Sequence, residues 1–207
     1  MSEKPDVVVI GGGVIGVCSA YYLRREGLSV TLLERDAVCS GSSYGNSGLI
    51  VPSHSVPLPM PGVVGRAIKW MFDPESPFYI KPRLDPKLIS WLWRFRANST
   101  PERMRKSMKT LLALSTASRA LYDNLISDEE IDCNFHANGL FMLYATEDGH
   151  HEGVEEGEMM AEEGLEVLPM DARGVREMEP AVREDIVGGV YYPGDAHLSP
   201  ADFVTGL

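Results

Sequence analysis

Three observations predict an α/β fold that opens with a nucleotide-binding βαβ unit and continues into an inserted α+β segment. The run VVVIGGGVIG, Val7 to Gly16, sets Gly11, Gly13 and Gly16 between a short β-branched stretch and a helical pattern. A second apolar run ending in an acid, LSVTLLE from Leu28 to Glu34, follows at the spacing of one βαβ unit. Beyond it, prolines crowd VPSHSVPLPMPG, and helix and strand patterns then alternate through the remainder of the 207 residues.

Asp6 to Ile10 is the first strand, and Val14 to Arg25 has the apolar spacing of a helix, closed by Gly27 where a helix-ending glycine belongs. Leu28 to Glu34 is the second strand, so residues 1–50 read as the βαβ unit with its trailing polar loop. Residues 51–62 hold too much proline for helix or central strand and read as a crossover. Val63 to Phe72 and Asp85 to Asn98 read as short helices. A longer helix starts at Thr100 as N-cap, with Pro101 in its first turn and Glu102 near the positive end of its dipole. Its Met104, Met108, Leu111, Tyr122 and Leu125 form a predicted core-facing stripe. Gly139 to Ala145 and Ile186 to Pro193 read as strands, and Glu147 to Glu163 as an acidic surface helix weakened by its glycines. Residues 63–193 are therefore expected to be a substrate or cap domain, and 194–207 a return toward the first unit. There, Ser199, Pro200 and Asp202 open a last helix.

The chemistry sits in the glycine turn. Gly11 permits the tight bend, Gly13 allows backbone to approach a pyrophosphate, and Gly16 with Ala20 keeps helix against strand. The helix start offers free N–H groups and positive dipole to phosphates. Glu34 can accept bonds from an adenosine ribose and would repel a 2′-phosphate. The pattern alone does not separate NAD from FAD, and a simple βα packing turn is the other reading. Shortly after Glu34, CSGSSYGNSGLI is small, polar and glycine-rich, suited to a second pass along a long cofactor or to a plain surface loop.

With these motifs the sequence resembles the FAD-dependent D-amino acid oxidase and dehydrogenase superfamily. It is most similar to the N-terminal half of the bacterial D-amino acid dehydrogenase small subunit, through VVVIGGGVIGVCSAYYLRREG, GSSYGNSGLIVPS, the IKWMF and WLWRF stretches and GGVYYPGDAHLSPADF. The resemblance implies that Gly11, Gly12, Gly13, Val14, Ile15, Gly16, Glu34 and Arg35 hold the ADP half of FAD. Ser42, Ser43, Asn46, Ser47, Gly48 and Leu49 would then run past the pyrophosphate toward the flavin ring. It implies oxidative deamination of a D-amino acid to a 2-oxo acid and ammonia, with electrons passed to a quinone-type acceptor. Glycine or sarcosine oxidase and hydroxyproline dehydrogenase are the enzyme alternatives, and a non-catalytic nucleotide-binding or interaction fragment is the other. Two parallel strands cannot complete such a sheet. The resemblance therefore implies that a C-terminal half or a partner subunit supplies the rest.

His54, in the proline loop, is the one candidate for a substrate-facing catalytic residue, against the plainer reading of a loop histidine bonded to backbone. His150 and His151 are adjacent and read as solvated, and Asp195 as bonded to local backbone. Cys18, Cys39 and Cys133 are widely spaced with no CxxC, so neither a disulfide framework nor a metal site is expected, and a reducing cytoplasm fits. No apolar run approaches the roughly 18 residues of a membrane span, and no signal peptide is expected.

The net charge of −11 divides unevenly, with 12 basic against 4 acidic groups in 63–122 and 3 against 19 in 123–185. Within the basic segment Arg66, Lys69, Lys87, Arg94, Arg96, Arg103, Arg105, Lys106 and Lys109 interleave with Trp70, Met71, Phe72, Trp91, Trp93 and Phe95. The leading reading is a tryptophan core beneath a solvated charged face; the second is peripheral contact with the inner face of an anionic membrane. A nucleic-acid partner is not expected.

Overall fold

The computed structural model describes residues 4–62, 65 and 85–207. Strands β1 (Val7–Ile10) and β2 (Val30–Leu33) pair in parallel, Val7 opposite Val30 and Ile10 opposite Leu33, with helix α1 (Val14–Arg25) between them in sequence. Gly27, at φ +86, donates its N–H to Arg24 O and ends the helix as expected.

Two further sheets complete the described chain. In one, β3 (Leu49–Ile50) pairs antiparallel with β7 (Ala196–His197). In the other, β6 (Gly188–Tyr192) runs between β4 (Leu140–Tyr144) and β5 (Leu168–Asp171), antiparallel to both. β3, β5, β7 and α5 (Ala172–Met178) have no counterpart in the sequence reading: β3 and β7 are two residues each, and β5, LPMD, carries a proline and an aspartate in place of a β-branched run.

Helix α2 (Pro86–Asn98) is capped by Asp85, whose side chain accepts from the Lys87 N–H. It has no buried residue, and Trp91 and Trp93 are 47% and 69% exposed, which overturns the reading of these tryptophans as core. The helix expected over 63–72, with Arg66, Lys69, Trp70, Met71 and Phe72, lies outside the described residues. Helix α3 (Pro101–Asp128) has Thr100 as its cap and buries Met104, Met108, Leu112 and Leu125. Its stripe passes through Leu112 rather than Leu111, which is exposed. Steps of 3 and 4 both stay near one helical face, and the direction of the core selects between them.

Helix α4 (Glu147–Glu162) is less of a surface helix than its charge implies, for Gly153, Gly157 and Met160 are buried. A Cβ at Gly153 would lie 2.1 Å from the Tyr144 ring on β4, and one at Gly157 2.9 Å from Val167. The glycines that weaken its helical pattern are what let it lie close on the sheet. Helix α6 (Pro200–Gly206) buries Phe203 and Val204 against Cys39, Ile50, Leu125, Ile131 and Cys133. Ser199 makes no side-chain cap there; its backbone N–H bonds Cys133 O at 2.7 Å. The main core thus joins the segment after the βαβ unit to the far end of α3 and to α6.

Candidate functional site

The glycine turn closes the end of β1. Gly11 takes φ +108, and its N–H bonds Leu33 O at 2.8 Å. Gly12 is buried and donates to Glu34 Oε2 at 2.6 Å. Gly13 is the N-cap of α1, and the Val14 N–H reaches Ser43 Oγ at 2.9 Å. A Cβ at Gly16 would sit 1.8 Å from the Gly11 carbonyl oxygen, so only glycine lets helix and strand touch there. The amides of Gly13, Ile15 and Gly16 have no acceptor among the described residues, and Ile15 is exposed. These are the orphan donors of a helix start, and they favour an anion.

Glu34 is folded around the same turn. Its Oε1 accepts from the Arg35 and Asp36 N–H groups at 2.7 and 3.1 Å. Bonds from the Gly12 amide, and then the Asp36 amide, hold its carboxyl below the usual carboxylate range, so it is ionised at neutral pH. Three backbone donors fill three of roughly four acceptor positions on a carboxylate, leaving one for a ribose hydroxyl. Arg35 is exposed and pairs with Asp36 at 3.0 Å.

The polar loop comes back to the turn. Asn46 Nδ2 donates to Ser42 O and Ser43 O, and Asn46 Oδ1 accepts from the Gly48 N–H at 2.8 Å, so one side chain shapes the loop. Gly48 takes φ +66 with its carbonyl accepting from the Leu198 N–H at 3.0 Å, and a Cβ on it would meet Leu198 O at 2.0 Å. Ser42 and Ser47 are exposed, and Leu49 lies at the exposed start of β3. The cavity between turn and loop, lined by Val14, Ser43, Asn46, Tyr122, Pro200 and Phe203, measures about 80 Å³. Ligand pockets usually run to several hundred Å³. A dinucleotide would therefore lie along the open side of the turn. A fixed glycine bend, three unclaimed amides and an ionised Glu34 fit its ADP half.

Other expectations change. The His54 backbone N–H bonds Val51 O at 3.1 Å, but its imidazole is exposed and makes no hydrogen bond among the described residues. Asp195 is buried and is held by Ser53, 142 positions away, not by local backbone: the Ser53 N–H and hydroxyl both donate to its carboxylate. Burial pushes its carboxyl up, against hydrogen bonds from Ser53 and the charges of His54 and Arg119. His150 is half-buried over Gly188 with Nε2 unpartnered, whereas His151 is solvated and pairs with Glu155 at 3.4 Å. Glu156 was not singled out by sequence. Burial raises its carboxyl and the charge of His54 opposes that rise; its place among Gly153, Gly157 and Met160 is the signal that it borders the sheet. Among the described residues no group of His, Cys, Asp and Glu is arranged to hold a metal ion.

The profile of the DAO family, described as FAD dependent oxidoreductase, matches residues 6–207. The chain belongs to this DAO family. Its α/β fold and FAD cofactor are as expected. The chain is similar to the D-amino acid dehydrogenase of Methylobacterium radiotolerans, 34% identical over 200 residues, covering 93% of this chain and 48% of that protein. The D-amino acid dehydrogenase of Methylobacterium nodulans is 35% identical with the same shares covered. The chain spans about half the length of these DAO relatives. Among solved structures, glycine oxidase from Geobacillus kaustophilus superposes with TM-score 0.70 at 22% identity, covering 99% of this chain and 43% of that one. The L-alpha-glycerophosphate oxidase from Mycoplasma pneumoniae with FAD bound gives 0.61 at 19% identity, covering 98% and 41%. These structures share the fold.

Proposed function

We propose that the chain is the FAD-binding half of a D-amino acid dehydrogenase that converts a D-amino acid to its 2-oxo acid and ammonia. The glycine turn carries this reading, since its unclaimed amides and its ionised Glu34 suit the ADP half of FAD. The names of the dehydrogenase relatives supply the substrate class. The chemistry that FAD supplies when bound is acceptance of a hydride from the substrate Cα, after which water converts the imino acid to the products. Gly11, Gly12, Gly13, Val14, Ile15 and Gly16 bind the pyrophosphate and Glu34 the ribose, with Arg35 at the edge. Ser42, Ser43, Asn46, Ser47, Gly48 and Leu49 carry backbone and hydroxyls onward toward the ring.

Val8, Ile10 and Leu33 are 49%, 86% and 52% exposed on the paired strands β1 and β2. Uncovered strand side chains of this kind call for a partner surface. Polypeptide corresponding to the other half of the relatives is that partner, and electrons then pass to a quinone-type acceptor. On α2, exposed Ile89, Trp91, Leu92 and Trp93 beside Lys87, Arg94 and Arg96 support peripheral docking on an anionic bilayer.

The test is made on the chain together with that other half. The purified protein should be yellow and retain FAD, should oxidise D-alanine with an artificial electron acceptor, and should lose FAD readily on Glu34→Arg. A colourless protein that refuses FAD and retains NAD would overturn the reading.

A further inference from the structure

Helix α1 and the far end of α3 share an apolar valley. Val14, Cys18 and Tyr22 line it from α1, Ser118 and Leu121 from α3, and Phe203 from α6, around a cavity of about 620 Å³. The Ser19 hydroxyl in its wall donates to Ile15 O at 2.7 Å, so that polar group is satisfied within its own helix. On α3 the lining belongs to a longer face, for Leu111, Leu114, Ser118, Leu121 and Leu125 recur at steps of 3, 4, 3 and 4. That is the spacing of a seam between paired helices. Ile15, Leu114 and Leu121 are nevertheless 79%, 64% and 50% exposed. Met104, Met108 and Leu112 already bury a different face of α3, so the seam is not what holds this helix down. Cys18, Ser19 and Ser118 are small beside Ile15, Tyr22 and Leu121, which leaves holes that the side chains of a further helix can enter.

We propose that this valley seats an amphipathic helix from the polypeptide that corresponds to the other half of the relatives. The inference rests on the reading of the chain as half of a dehydrogenase. Three observations choose this occupant over a second copy of the chain or an independent protein. The chain spans 48% of each dehydrogenase relative, so in those proteins a comparable length of polypeptide accompanies the matched residues. The seam is also small: Leu111 to Leu125 extends about 21 Å and one helix is about 10 Å wide, which gives on the order of 200–400 Å² per side. Separate molecules that associate stably bury about 800 Å² each. A helix of the same folded protein needs less, because it loses no further translational freedom on seating. Finally, the positions flanking the seam, Thr110, Ser115, Ala117 and Asn124, carry no charge that would select a foreign helix. The valley is distinct from the open side of β1 and β2. Gly16 of α1 packs toward Val9, whereas Val8 and Ile10 point to the opposite face of those strands. Both faces of the βαβ unit thus await cover, as a parallel sheet requires.

The test uses the chain together with its other half. Leu114→Cys and Leu121→Cys are made singly, and maleimide labelling of each new thiol is followed by mass spectrometry of its peptide. Both thiols should react at least about tenfold more slowly in the native protein than in urea, because labelling then requires the seated helix to lift away. A photoreactive benzoylphenylalanine in place of Leu114, at the margin of the cavity, should cross-link to one segment of the other half. The smaller cysteine variants keep the inference falsifiable if this probe prevents folding. Native thiols that react as fast as unfolded ones would show the valley open and overturn the inference. Cross-links between isotopically distinct copies of this chain, or none to the other half, would overturn it as well. Retention of FAD by the wild-type preparation is scored separately. A yellow protein with an open valley loses this inference alone, whereas a colourless protein that refuses FAD overturns the dehydrogenase reading whatever the valley holds.

Discussion

Glu34 and Asp195 pull the stability of the fold in opposite directions as pH changes. Glu34 is lowered in the folded state, so its contribution is present above the ordinary glutamate value of about 4.3 and is lost as pH falls through its folded pKa. Asp195 is raised, so the advantage of its protonated form is present below about 3.9 and is lost as pH rises through its folded pKa. Denaturation midpoints measured from pH 3 to pH 8 should show a shallower acid limb in Glu34→Gln and a smaller decline toward neutrality in Asp195→Asn. Curves parallel to wild type would mean that neither carboxyl is linked to folding. Gly16→Ala has a simpler expectation, since its Cβ would collide with the Gly11 carbonyl. Overpacking of that kind costs about 1–3 kcal/mol, and thermal melts should show a lower midpoint together with weaker FAD retention. Most of the glycine turn was legible in sequence because its chemistry is local: the bend, the close contact and the acid all fall within Gly11 to Glu34. The Ser53–Asp195 grip was not, because nothing in a serine or an aspartate names a partner 142 positions away.

The helices α1 and α3, with their long periodic signal, and the short apolar runs of β4 and β6 were readable, and the two-residue strands β3 and β7 were not. Where an element was found and its environment mistaken, tertiary contact was the cause. Helix α4 reads as solvent-facing from its acids, yet Gly153 and Gly157 press it onto the sheet. Gly153→Ala is a test in which two effects oppose. Alanine improves helix propensity by about 1 kcal/mol, but its Cβ would displace the Tyr144 ring. The net should be destabilising, with a lower melting temperature; a stabilised variant would show that α4 stands off the sheet. Helix α2 carries its aromatic and basic side chains on an exposed surface. On the docking and quinone acceptor proposed above, replacing Trp93 with alanine, or reversing Arg94 and Arg96 to glutamate, should release the chain with its other half from anionic vesicles at low salt and slow quinone-linked turnover. Turnover with a soluble dye should be unchanged. Vesicle binding that survives both changes would assign docking to another surface.

Across the whole molecule, the apolar side chains of β1 and β2 lie open while the main core forms between segments far apart in sequence. Expressed as these 207 residues alone, the chain should self-associate and should not turn over D-alanine, and light scattering with a dye-reduction assay will check both. A stable, active monomer would show that β1 and β2 need no partner. The pairing of Leu49 with His197 and Ile50 with Ala196 also bears on how the protein is made. Translation adds residues at about 5–20 per second, so the loop that curls back on the glycine turn waits on the order of 10 s or more for its partner strand to be synthesised. During that interval Cys39 and Ile50 have no Phe203 or Val204 to pack against, and closing so long a loop is slow once the partner exists. Ribosome-stalled chains ending before residue 196 should accordingly be cut by protease within 39–55, whereas chains long enough to expose residue 204 should be protected there. The nucleotide turn leaves the ribosome well before β7 and α6 are made, so the loop beside it can settle only once residues 196–204 have followed.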